Sequence, residues 1–125
     1  MRDTGLLRAV DCVQIRVPDL ESGLAFYRDR LGHRLLWRTP EAAGLALPGS
    51  DTELVLTTTR EAEVDFLVDS VPDAVAALLD AGATVVAEPA DIPVGRVAVL
   101  TDPFGTRLTV LDLSRAATPP PPTAR

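Results

Sequence analysis

The chain has 125 residues, enough for a single domain-sized core, and 46 % of them are apolar. Its 12 basic residues, all arginine, face 18 acidic ones, for a net charge of −6, which argues against nucleic acid or an anionic membrane surface as partner. A lone cysteine, Cys12, excludes an internal disulfide and fits a reducing cytoplasm. The opening MRDTGLLRAV has no signal-peptide apolar run, and no segment reaches the ~20 apolar residues of a membrane span. Lysine and asparagine are absent while Ala, Pro and Arg abound, the bias of a GC-rich bacterial gene.

Residues 1–9 read as an N-terminal extension. VDCVQIRV (10–17) reads as a strand with Val13, Ile15 and Val17 on one face and Cys12, Gln14 and Arg16 on the other. Asp19 is an N-cap for a helix whose apolar stripe is Leu20, Leu24, Tyr27 and Leu31, and Gly32 suits its C′ position. Three short strands follow, 34–39, 44–48 and 53–58, separated by PEAA and GSD. The pattern then restarts. VDFLVDS (64–70) is a strand, and Ser70 caps a second helix with Asp73 as its capping-box partner. Val71, Val75, Leu78 and Leu79 form that helix's apolar stripe, and Gly82 ends it. Strands at 84–88, 96–101 and 107–113 complete the series, with DPFG (102–105) as a turn. Residues 115–125, with four consecutive prolines, read as a disordered tail.

Both halves therefore read β-α-β-β-β, module one over 10–59 and module two over 63–114. An offset of 51 lays Val13, Ile15, Val17 and Leu20 on Val64, Phe66, Val68 and Val71, and an offset of 54 lays Leu54 and Leu56 on Leu108 and Val110. A ferredoxin-like fold ranks second, because it has two strands after its first helix rather than three.

VQIRVPDLESGLAFYRDRLGH resembles the opening module of the vicinal oxygen chelate superfamily, and VAVLTDPFGTRLTVLDL is similar to that family's closing strands around a DP-x-G turn. The superfamily includes glyoxalase I, bleomycin-resistance proteins, extradiol dioxygenases and fosfomycin-resistance enzymes. The resemblance spans about residues 10–114. It implies an α+β fold in which two βαβββ modules form half-open barrels around a cavity, in a homodimer. Strand alternation then sends Cys12, Gln14 and Arg16 toward the cavity, with Glu53, Val55 and Thr57 on the fourth strand. It does the same for Glu63, Asp65 and Leu67 on the fifth strand, and for Arg107, Thr109 and Leu111 on the eighth.

Metal-dependent relatives place ligands at positions that match Cys12, Val55, Glu63 and Thr109 here. Valine cannot coordinate, neutral threonine is a poor ligand, and the only histidine, His33, follows the first helix and belongs at the surface. No metal and no cofactor is expected. The nominated ligand-binding residues are Cys12, Gln14, Arg16, Trp37, Val55, Glu63, Asp65 and Thr109, and catalytic residues are not assigned. Trp37 is open to stacking on a flat ligand or to core packing. The leading reading is a metal-free small-molecule-binding protein of the bleomycin-resistance type, sequestering an antibiotic or a metabolite. The alternative is a lyase, isomerase or dioxygenase with a nonstandard site at Cys12, Glu63 and Asp65, or with carboxylates as acid and base. A protein with a vestigial cavity, serving interaction or assembly, comes third.

Overall fold

The computed structural model describes residues 5–115. Its elements run β1 (Ala9–Arg16), α1 (Leu20–Leu24), a π-helical segment (Ala25–Arg30), β2 (Leu35–Arg38), β3 (Ala42–Ala46), β4 (Glu53–Thr57), β5 (Glu63–Leu67), α2 (Val71–Asp80), β6 (Thr84–Ile92), β7 (Gly95–Thr101) and β8 (Arg107–Leu111). This is the α+β pattern of two βαβββ modules. The chain divides into two compact units, Asp11–Val64 and the remainder on either side of it, with the divisions falling inside β1 and β5. The tail expected over 115–125 is described only at Arg115, whose N–H donates to the Val94 carbonyl at 2.9 Å. Residues 116–125 lie outside the described residues, as do 1–4 of the N-terminal extension.

In the first unit the strand order is β2-β3-β4-β1, with β1 parallel to β4 and β3 antiparallel to both its neighbours. The registers Val13↔Leu54↔Leu45 and Ile15↔Leu56↔Ala43 place the apolar faces together. These residues join Val17, Leu20 and Leu24 of the helical side in one cluster, except Val13, which is half-buried beside it. The helix approaches the sheet closely at Gly23, where a Cβ would lie 3.1 Å from side-chain atoms of Leu56 and Val17.

The second unit repeats the order as β5-β8-β7-β6, with β5 parallel to β8. Phe66↔Val110↔Ala98 is its apolar row. It packs with Leu100 against Val71, Ala74 and Val75 of α2. Asp112, only 1 % exposed, ties this unit together. Its Oδ2 accepts from the Val71 N–H at 2.7 Å, at the first turn of α2. Its Oδ1 accepts from the N–H groups of Arg96 (3.0 Å) and Ser114 (3.2 Å) and from the Ser114 hydroxyl (2.6 Å).

The caps expected from sequence are present. Asp19 Oδ1 accepts from the Ser22 N–H at 2.7 Å, and Ser70 Oγ from the Asp73 N–H at 3.3 Å. Gly32, Gly82 and Gly105 take positive φ (84°, 107° and 89°), which ends both helices and closes the DPFG turn. Asp102 Oδ1 holds that turn by accepting from the N–H groups of Phe104 and Thr106, both at 2.8 Å.

Several expectations need correction. The first helix is α-helical for five residues and then π-helical, with the Leu31 N–H donating to the Phe26 carbonyl at 2.9 Å, an i−5 bond. The widened turn leaves Leu31 52 % exposed, so it is not part of the apolar stripe. In α2 the stripe is Val71, Ala74, Val75 and Leu78, while Leu79 is 46 % exposed. β3 begins at Ala42 rather than at Gly44, because PEAA forms only a tight reversal, in which the Thr39 N–H donates to the Ala42 carbonyl at 2.8 Å. β6 runs on to Ile92, past Pro89 and two register shifts, as suits a strand with one unpaired edge.

Candidate functional site

The site is built first from backbone register. In the first unit, Gly44↔Val55↔Gln14 and Ala46↔Glu53↔Cys12 are facing positions across β3, β4 and β1, and Ala42↔Thr57↔Arg16 forms a third row. Side chains at register partners share a face. That face is the one opposite α1, as alternation from Val13 and Ile15 requires.

Small residues on β3 leave room on this face, and Trp37 of β2 fills it. Trp37 pairs with Gly44, and a Cβ on Gly44 would overlap the indole at Nε1 and Cε2. The indole therefore rests directly on the Gly44 backbone. Only glycine admits that approach. From there Trp37 Nε1 donates to Glu53 Oε1 at 2.7 Å. Burial pushes the Glu53 carboxyl above its ordinary range, and the indole bond opposes that shift.

Gln14 is 7 % exposed, and its Nε2 donates to Glu63 Oε2 at 3.4 Å. Cys12 is fully buried in the neighbouring row, and Val55 is buried beside Gln14. Arg16, by contrast, sits at the rim. Its side chain is 57 % exposed and its Nη1 lies 3.3 Å from Glu61 Oε1. The structure thus brings together Cys12, Gln14, Trp37, Val55 and Glu63 within one unit and leaves Arg16 at its edge.

The remaining nominees, Asp65 and Thr109, are register partners on β5 and β8 of the second unit. Both are buried, at 5 % exposed each. Leu67↔Leu111 continues their row. Arg107 is exposed at the start of β8. His33 is half-buried rather than at the surface, with its Nδ1 3.0 Å from the Ala46 carbonyl oxygen. A cavity of about 220 Å³ in the second unit is lined by Gly5, Leu6, Arg8, Asp69, Ser70, Asp73 and Ala74, and none of the nominated residues borders it.

The metal positions implied by resemblance do not fit an ion. Val55 presents only methyl groups, Thr109 a neutral hydroxyl, and Glu63 already accepts from Gln14. Among the described residues no group of three or more His, Cys, Asp or Glu is gathered where it could hold one.

Sequence reasoning placed Glu53 on this face but did not connect it with Trp37. The connecting signal is Gly44, the one residue that lets an indole from β2 lie across β3 to reach β4.

Residues 12–111 match the family model of the glyoxalase-like domain. Comparison with curated proteins gives no match. Among solved structures, methylmalonyl-CoA epimerase from Mycobacterium tuberculosis is similar with a TM-score of 0.76 and 22 % identity, over 90 % of this chain and 92 % of that one. A single-residue variant of Streptomyces coelicolor methylmalonyl-CoA epimerase, in complex with 2-nitronate-propionyl-CoA, gives 0.69 and 20 %, over 85 % and 97 %. The Mn(II)-bound glyoxalase from Novosphingobium aromaticivorans gives 0.67 and 23 %, over 88 % of this chain and 40 % of that longer one. At these identities the structural likeness speaks for the fold. With the family match across residues 12–111, it shows that the chain belongs to the glyoxalase-like domain family, within the vicinal oxygen chelate superfamily.

Proposed function

We propose that this chain is a small-molecule-binding protein whose site works without a metal ion. One observation carries the reading. At the centre of the first unit's polar face, the position that would hold a ligand to metal is Val55, set between Gly44 and Gln14 in register. Around it, polar side chains are oriented by one another, Glu53 by Trp37 and Glu63 by Gln14. Such a face can orient a small polar guest by hydrogen bonds.

The test starts with protein purified without chelator or affinity nickel. Metal content well below one ion per chain is expected, with no calorimetric binding of divalent ions at micromolar concentration. A panel of small polar compounds should include one that raises the melting temperature, since a ligand at a hundred times its Kd stabilises the fold by about 2.7 kcal/mol. Tight stoichiometric metal, or a panel with no stabilising compound, would overturn the proposal.

A second reading, an enzyme of the lyase, isomerase or dioxygenase kind, is favoured by the raised Glu53 carboxyl, a property suited to an acid–base group. Because structural neighbours act on methylmalonyl-CoA, epimerisation of that thioester is the first reaction to assay. Glu53→Gln would abolish turnover on this reading, and turnover that survives it would remove Glu53 from the chemistry. We further propose a homodimer in a reducing cytoplasm. The lone buried thiol supports the compartment and the resemblance supports the assembly.

A further inference from the structure

We propose that Trp37 and Glu53, seated over Gly44, recognise a small flat organic cation, an amidinium or a protonated nitrogen heterocycle. The inference rests on the small-molecule reading above and names the class of ligand.

Three features point to a cation. The indole is fixed in orientation twice over, by the Gly44 backbone beneath it and by the 2.7 Å bond from its Nε1 to Glu53. A fixed indole offers a π face of negative potential, which attracts a cation held above it. The carboxylate lies at the ring's edge, so a flat cation can stack on the ring and direct an N–H at the Glu53 carboxylate in one pose.

The surrounding charge agrees. Glu63 stands on the same side of the first unit, held by Gln14. Arg16, the basic residue among the facing positions, is at the rim and engaged with Glu61. An anionic guest would meet carboxylates with, among the described residues, no buried arginine to answer it. Burial makes the ionised Glu53 carboxylate costly, and a cation placed against it offsets that cost.

Trp37 is the only tryptophan in the chain, so its fluorescence reports on this site alone. The probes are benzamidinium, its neutral analogue benzamide, and benzoate. Benzamidinium should change the fluorescence saturably at concentrations up to about 10 mM, and benzamide and benzoate should not. Glu53→Gln keeps an acceptor for the indole N–H and should weaken benzamidinium binding at least tenfold. Trp37→Phe, read by calorimetry, should weaken it similarly by removing the indole bond, with melting curves confirming that both variants fold.

Equal binding of benzamide and benzamidinium, an unchanged affinity in Glu53→Gln, or no saturable response to benzamidinium would each overturn the inference. If benzamidinium fails while neutral or anionic compounds raise the melting temperature, the cation falls and the binding protein stands. If no compound of any charge raises it, both fall.

Discussion

Among the perturbed carboxylates, Asp112 and Glu53 are shifted in opposite directions, and each leads to a separate stability test. Burial pushes the Asp112 carboxyl up, but the Ser114 hydroxyl and the N–H groups of Val71, Ser114 and Arg96 outweigh it and hold the group below its ordinary value of 3.8. A lowered folded pKa means that its stabilisation is present in full above the unfolded pKa and is lost as pH falls through the folded one. Asp112→Asn replaces one accepting oxygen with a donor facing N–H groups, so urea denaturation at neutral pH should show a loss of about 2–3 kcal/mol. The deficit should shrink in acid, and a constant deficit at all pH values would assign the effect to packing. Glu53 behaves in the reverse sense. Its folded pKa is raised by burial, so the ionised form costs stability once pH exceeds the unfolded value of 4.5. Glu53→Gln should therefore be slightly more stable than wild type at neutral pH, and the difference should vanish in acid. A destabilised Gln variant would mean that the Trp37 bond outweighs the desolvation.

At the scale of elements, the sequence reading succeeded where geometry is strictly periodic. A strand alternates every residue, so placing Val13 and Ile15 under the helix fixed Cys12 and Gln14 on the other face, and the register bears this out. The N-caps were legible because Asp19 and Ser70 act on N–H groups three residues away. The π-helical turn was not legible, since AFYRDR contains no glycine or proline to announce it and the 3.6-residue spacing continues through it to Leu31. The Trp37–Glu53 pair was equally hidden, because it depends on the pairing of β2 with β3 and on a register irregularity between Leu35 and Trp37. Alanine substitution separates the two helical registers. Leu24→Ala, at a fully buried site in the first cluster, should cost about 2–5 kcal/mol. Leu31→Ala should stay within about 0.5 kcal/mol, whereas an unbroken α-helix would place Leu31 in the core and make the two losses alike.

At the scale of the whole molecule, the homodimer proposed above has to form between chains that each carry a net charge of −6. Several large apolar side chains are exposed to offset that repulsion, among them Phe26 at 52 %, Leu31 at 52 % and Phe104 at 90 %. Phe104 stands on a turn already rigidified by Asp102, so burying it costs little further ordering. An interface of standard size would remove roughly 1,200–2,000 Å² from water. Attraction by apolar burial does not weaken with salt, while repulsion between like charges is screened over about 10 Å at 0.1 M salt. Sedimentation equilibrium should therefore give twice the 13.3 kDa of one chain. The dimer dissociation constant should fall as salt is raised from low ionic strength, the opposite of what an interface built on ion pairs would show. A single-chain mass at every salt concentration would remove the dimer and leave the first unit's polar face to bind its ligand from one chain.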